Sequence, residues 1–320
     1  MKKSIIAIIC ILSILIVGCS SVKECYEEND VRLITPDGLP SIAISKAIEE
    51  KKTIEHINIS YDIQKTSDLL VAELMKGEAE LAIIPSNLAL QAYKKGLGYK
   101  IAGTIGWGSL YLVSEEDVKD LSELKGKEIY NTGKGLTPDI IFKEILKNNN
   151  ILEEDIEFSY VGAASELAPL VATGKAKYAV VPEPALSTVM AKNPNLKIIL
   201  NLNEEWASFN NVEQGYPQST LIIKEEFFEE IKDSGVYEKI IESFKEAEEF
   251  AIKNPEDVGT ICENLGITVN KDVIKDSMKN SNIKFTDIKD CTEEYNAYFK
   301  VIDTENKGEN DEYKSLFIER

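Results

Sequence analysis

The residues able to grip a small molecule lie in six short loops, each between an apolar run and a helical pattern. Three come early: Asp37-Gly38-Leu39-Pro40-Ser41, Lys65-Thr66-Ser67-Asp68 and Pro85-Ser86-Asn87. Three come later: Thr132-Gly133-Lys134-Gly135-Leu136-Thr137-Pro138, Ala164-Ser165-Glu166 and Pro182-Glu183-Pro184. Glycine allows close backbone approach, hydroxyls donate hydrogen bonds, and helix N-termini present free N–H groups with partial positive charge. Lys134, between two glycines, would attract an anion. Asp68 and Glu183 would pair with an amine or a heterocyclic N–H. Trp107 offers a face on which a flat ligand stacks. The candidate ligand contacts are Gly38, Leu39, Pro40, Ser41, Ser67, Asp68, Ser86, Asn87, Trp107, Lys134, Gly135, Thr137, Glu183 and Gln218, with Trp206 as a weaker one. Most have a plain structural use as well. Ser41, Ser67, Ser86 and Thr137 suit N-caps, carboxylates are favoured in first helical turns, Lys134 suits a solvated loop, and both tryptophans suit a core.

Other chemistries lack their residues. His56 is the single histidine, and it precedes a strand where a surface position is expected. A His-rich metal site or a Ser-His-Asp triad would rest on it alone. Cys10, Cys19, Cys25, Cys262 and Cys291 form no Cys-x-x-Cys pair, so zinc ribbons and thioredoxin-type motifs are excluded. Cys262 and Cys291 are expected as two unpaired thiols. Gly133-Lys134-Gly135-Leu136-Thr137 lacks phosphate-loop spacing, which excludes a nucleotide hydrolase. Lys and Arg total 36 against 55 Asp and Glu, a net charge of −19, and nucleic acid is not an expected partner. We expect no catalytic residue, no metal, no cofactor, and a monomer.

The elements that must position these loops read as two α/β passes. In the first, strands over 31–34, 57–63 and 81–84 alternate with helices over 41–50, 68–76 and 87–95. In the second, strands start at 129, 156 and 179, with helices over 138–147 (capped by Thr137), 166–173 and 184–192. One constant spacing relates Thr35 to Thr132, Gly38 to Gly135, Leu39 to Leu136, Gly77 to Gly174, Ala82 to Ala179 and Pro85 to Pro182. A domain-sized echo implies two related lobes with mainly parallel sheets. The chain crosses between lobes near 103–113 and returns near 206–223, two crossings that form a hinge. Acidic helices over 225–234, 236–252, 255–265 and 292–301 pack back on the first lobe. In open α/β sheets ligands sit beyond the strand C-termini, so the six loops face the cleft.

Lys2 and Lys3 precede an uncharged apolar run over 5–17, then Gly18-Cys19-Ser20-Ser21. This resembles the bacterial lipoprotein box. The resemblance implies a signal peptide over 1–18, lipid on Cys19, a flexible tether over 19–30, and a folded part held outside the cytoplasm at the cell membrane. The competing reading is a plain membrane helix over 4–22.

Gly38-Leu39-Pro40-Ser41, Ser67-Asp68-Leu69-Leu70, Gly77-Glu78-Ala79-Glu80-Leu81-Ala82-Ile83-Ile84-Pro85-Ser86-Asn87, Leu124-Lys125-Gly126-Lys127, Gly133-Lys134-Gly135-Leu136-Thr137-Pro138-Asp139 and Val180-Val181-Pro182-Glu183-Pro184 share an order and spacing. In these the chain resembles the type II substrate-binding lipoproteins of ABC importers, in the nitrate/sulfonate/taurine/thiamine-pyrimidine group. The resemblance implies a two-lobed periplasmic-binding-protein type II fold (a Venus flytrap): α/β, two mixed, mainly parallel sheets flanked by helices, and a two-strand hinge. Lobe one is expected over 31–108 plus 218–320, and lobe two over 109–217. The implied partners are a small solute (a sulfonate, a nitrate-like anion or a pyrimidine-type heterocycle) and ABC permease subunits. The alternatives are a sensor or scavenging protein without transport, and a thiamine-pyrimidine-synthase-like enzyme. The enzyme branch carries a cysteine-rich iron motif that has no counterpart here.

Overall fold

The computed structural model describes residues 29–50, 53–303 and 313–319. Cys19, the signal segment and residues 19–28 of the tether lie outside the described residues, while Asn29 and Asp30, read as the end of the tether, are instead paired with Ile57 and Asn58 of the neighbouring strand at the start of the first element. The first pass comprises β1 (Asn29–Pro36), α1 (Leu39–Ala43), α2 (Ser45–Glu50), β2 (Thr53–Ile54), β3 (Ile57–Gln64), α3 (Ser67–Lys76), β4 (Leu81–Pro85), α4 (Ser86–Lys94) and β5 (Tyr99–Trp107). The second comprises β6 (Leu110–Ser114), β7 (Glu128–Thr132), α5 (Thr137–Asn148), β8 (Glu157–Val161), α6 (Ala164–Ala172), β9 (Tyr178–Pro182), α7 (Ala185–Lys192), β10 (Lys197–Asn201) and α8 (Leu202–Asn210). The chain then forms β11 (Pro217–Lys224), α9 (Glu225–Ile231), α10 (Val236–Lys253), α11 (Pro255–Leu265), α12 (Ile274–Asn280), β12 (Ile283–Asp287) and α13 (Thr292–Ile302).

The strands make two mixed sheets. The first has the order β12-β5-β11-β4-β1-β3-β2 and the second β10-β6-β9-β7-β8. Each has the same heart. β4-β1-β3 and β9-β7-β8 are parallel triplets, and an antiparallel strand flanks each on one side, β11 beside β4 and β6 beside β9. Leu81, Ala82, Ile83 and Ile84 of β4 are all buried, as are Tyr178, Ala179, Val180 and Val181 of β9. Continuous apolar runs are what a sheet covered on both faces requires. The echo extends to backbone detail: Gly77 and Gly174 each follow a helix in the left-handed region, at φ 66° and 69°, where a side chain is strained.

The crossing near 103–113 is two strands in different sheets, β5 and β6, joined by Gly108-Ser109. The return differs from the reading over 206–223, because Trp206 belongs to α8 and only 211–216 connects that helix to β11. Gly108 N–H donates to the Tyr216 carbonyl at 3.0 Å, so the two crossings are bonded side by side. A Cβ on Gly108 would lie 2.3 Å from the Tyr216 ring. Trp206, Tyr216 and Tyr298 of α13 form one aromatic cluster with ring centroids 5.9–6.4 Å apart, and all three are buried. The C-terminal helices pack on the first sheet and also reach elements of the second: α13 touches α5, and α12 touches α7. Cys262 and Cys291 are free and buried.

Candidate functional site

A cavity of about 530 Å³ lies between the two sheets, at the C-terminal ends of their parallel strands. Pro36, Pro85 and Pro182, the last residues of β1, β4 and β9, all line it. Local sequence explains the placement. A proline offers no N–H to extend a ladder, and the strand stops where the next helix begins. The first lobe contributes the loop from Asp37 to Pro40, Ser67 and Val71 of α3, and Asn87, Leu88 and Gln91 of α4. The second contributes Leu136-Thr137-Pro138 and Pro182-Glu183-Pro184, and the crossing strands supply Trp107, Ser109, Leu110 and Gln218.

Nine of the residues singled out in the sequence come together here: Gly38, Leu39, Pro40, Ser67, Asn87, Trp107, Thr137, Glu183 and Gln218. The other five do not line the cavity. Ser41 is buried within α1, and its hydroxyl donates to the Pro36 carbonyl at 2.6 Å. Ser86 is buried, with its hydroxyl 2.6 Å from that of Thr220. Asp68 is exposed on the first turn of α3. Lys134 is exposed and stands 5.6 Å from the centre of the Tyr160 ring. Gly135 is exposed, and its N–H donates to Asp139. Trp206 is also outside, in the aromatic cluster. His56 precedes β3, half-buried and outside the cavity. The cap reading is corrected for all four hydroxyls. Thr66, not Ser67, caps α3, and Ser41 lies inside α1. α4 and α5 follow Pro85 and Leu136, which make no side-chain cap. The Thr137 hydroxyl instead lies 2.9 Å from that of Tyr298, a bond between the lobes.

The electrostatics are unusual for a site meant to hold an anion. Among the described residues no Lys or Arg lines the cavity, while two carboxylates do. Asp37 accepts from Thr268 N–H at 2.8 Å, Thr268 hydroxyl at 2.7 Å and Lys65 at 3.1 Å. Burial pushes its carboxyl up, but these donors outweigh burial and hold it below its ordinary value. Glu183 is 5% exposed and meets no cation among the described residues. Its carboxylate accepts from the Ser187 hydroxyl at 2.7 Å, Ser187 N–H at 3.3 Å and the Asn280 side chain at 3.2 Å. Burial raises its pKa despite those bonds.

The helix N-termini around the cavity are partly filled by the chain itself. Thr66 accepts from Leu69 N–H, Asp139 from Gly135 N–H, and Glu183 from Ser187 N–H. Trp107 is buried, and its indole N–H donates to Thr286 at 3.3 Å. Gln218 accepts from Ser109 N–H at 2.9 Å and donates to the Ser109 hydroxyl at 3.2 Å, fixing the crossings beside the cavity. Sequence reasoning missed Asn280 and Ser281, whose segment had no assigned element, and Asp37, which it saw only as part of a loop. Among the described residues no group of three His, Cys, Asp or Glu side chains is arranged to hold a metal.

Solved structures share this architecture. An ABC transporter from Parabacteroides distasonis is similar over 91% of this chain and 99% of that chain, at 22% identity and a TM-score of 0.76. The periplasmic aliphatic sulphonate binding protein SsuA from Escherichia coli matches over 82% of both chains, at 15% identity and a TM-score of 0.64. The periplasmic nitrate-binding protein NrtA from Synechocystis matches over 79% of this chain and 69% of that chain, at 11% identity and a TM-score of 0.53. None of the curated proteins matches the sequence. The fold is therefore that of the two-lobed substrate-binding proteins of ABC importers. Residues 55–258 match the NMT1/THI5-like family, and the chain belongs to that family.

Proposed function

We propose that this protein is an extracytoplasmic solute-binding lipoprotein, held at the cell membrane by lipid on Cys19, that captures a small nitrogen heterocycle and hands it to an ABC importer permease. It is a binding protein and not an enzyme in this reading. Support for the cargo class comes from one observation: the interlobe cavity has a buried carboxylate, Glu183, and no lining cation among the described residues. A sulfonate or nitrate would enter without a counter-charge and beside a carboxylate, against Coulomb's law in a low-dielectric site. A heterocycle with an N–H or amino group donates to Glu183, lies against apolar and proline walls, and meets the Trp107 indole. The cavity volume suits a small organic ligand. Contacts from both lobes favour the closed arrangement, because ligand completes them only when the lobes meet.

The test is calorimetry and thermal shift with 4-aminopyrimidine, methanesulfonate, taurine and nitrate. The expected result is that 4-aminopyrimidine alone raises the melting temperature, since a ligand of the native state stabilises it by mass action. Tight binding of methanesulfonate or nitrate instead overturns the heterocycle reading.

A further inference from the structure

Glu183 directly follows β9 in the second lobe, yet part of what orients it comes from the first. Its Oε1 accepts from the Ser187 hydroxyl, one turn along its own lobe, and from the Asn280 side-chain amide at 3.2 Å. Asn280 is the last residue of α12, which packs against α10 and α11 on the first sheet's lobe. Its own carbonyl accepts from the Tyr111 hydroxyl of β6 at 2.7 Å. Asn280 therefore makes two hydrogen bonds into the opposite lobe, one to the side chain that carries the cavity's buried charge.

The following residues continue the same crossing. Ser281 and Ile283 line the cavity, Trp107 N–H donates to the Asn282 carbonyl at 3.0 Å, and the Asn282 side chain donates to the Gly108 carbonyl at 2.5 Å. This segment thus straps the hinge at Gly108 and ends on Glu183. We infer that Asn280 is a positioning residue for ligand capture: it reaches across the lobes to orient the Glu183 carboxylate, so that the ligand-facing acid is set correctly only when the lobes meet. This rests on the reading of Glu183 as the ligand acceptor.

The groups that face Glu183 are Ser187 from α7, Ser277 and Asn280 from α12, and Tyr111 from β6, none of them carrying a charge at neutral pH. An amide donor stabilises a carboxylate more than a carboxylic acid. Loss of the Asn280 donor therefore moves Glu183 ionisation to higher pH. Ser187→Ala removes a donor from the same lobe and has that effect without touching the lobe contact.

The experiment uses the full chain and three variants, Asn280→Ala, Asn280→Asp and Ser187→Ala. Glu183 titration is followed by carboxyl ¹³C NMR without ligand, lobe arrangement by small-angle scattering, and 4-aminopyrimidine affinity by calorimetry. The expected result is an upward shift of the Glu183 midpoint in all three, largest in Asn280→Asp, which adds a like charge. A larger radius of gyration is expected only in the two Asn280 variants. Affinity at pH 7 falls roughly tenfold in Asn280→Ala, the scale of a hydrogen bond to a charged group. An unchanged Glu183 midpoint and unchanged scattering in Asn280→Ala overturn the inference. If 4-aminopyrimidine fails to bind the parent protein, the cargo reading fails instead, and the titration and scattering still decide the role of Asn280.

Discussion

Ser86 and Glu183 occupy equivalent places in the two lobes, each directly after the proline that ends the third parallel strand, and they do opposite work. The Ser86 hydroxyl is buried 2.6 Å from Thr220, whose hydroxyl lies 2.7 Å from that of Tyr295, which in turn accepts from Thr104 at 2.8 Å. That chain of hydroxyls ties α4, β11, α13 and β5 into one core. Glu183 is as deeply placed, but lines the cavity and carries a carboxylate. Asp37 and Lys134 make a second equivalent pair with the roles reversed. Asp37 is clamped at the cavity by Thr268 and Lys65, while Lys134 stands in solvent over Tyr160. A duplicated fold thus fixes where a loop sits, and the side chain there decides whether it serves the scaffold or the ligand.

Exchanging the residues tests the comparison most severely. Ser86→Glu forces a carboxylate into a filled hydroxyl network with no cation, and a loss of about 3–5 kcal/mol of stability is expected by denaturant unfolding, the scale for an uncompensated buried charge. Glu183→Ser is expected to leave the protein folded and to weaken 4-aminopyrimidine binding by about 1.5–3 kcal/mol, measured by calorimetry. Affinity unchanged in Glu183→Ser removes Glu183 from the site.

A second buried carboxylate separates burial from site chemistry. Glu248 of α10 is 3% exposed, accepts from Phe285 N–H at 2.5 Å through one oxygen, and leaves the other without a hydrogen bond. Burial raises its pKa well above the ordinary carboxylate value. The sign follows from linkage: an acid whose folded-state pKa is raised adds stability that is complete below its unfolded value and is lost as pH rises through the folded value. Glu248→Gln is expected to flatten stability against pH above the ordinary carboxylate range, with ligand affinity unaltered. Stability curves that stay parallel to the parent's contradict it.

Smaller effects complete the set. Ser86→Ala removes one hydroxyl, while Thr220 keeps its bond to Tyr295, and about 1 kcal/mol of stability is expected to go with no change in affinity. Lys134→Ala lies at the surface, and both stability and affinity are expected to move by less than about 0.5 kcal/mol. A larger affinity loss for an anion would return Lys134 to the site and weaken the contrast with Asp37.

Most elements were legible in the sequence because apolar runs and helical periods alternate cleanly in both passes. The strand β12 was missed although Ile283, Phe285 and Asp287 face inward while Lys284 is exposed, a two-residue alternation that five residues barely display. The edge strand β10 was missed because its burial is slight and shows no alternation. Asn280 carried no signal at all. It is a polar residue at a helix end, and its partner Glu183 is 97 residues away.

The amino-acid sequence by itself determined the twin α/β passes, the loops at the strand ends, the glycines that close the helices and the types of donor available, because all of these depend on local periodicity and backbone freedom. Tertiary structure alone decided which loop residues turn toward the cavity, that two carboxylates and no cation line it among the described residues, and that Thr137 and Glu183 reach Tyr298 and Asn280. The physical reason is that the C-terminal helices return over both lobes, and their contacts join residues far apart in the chain, where no spacing rule relates one partner to the other.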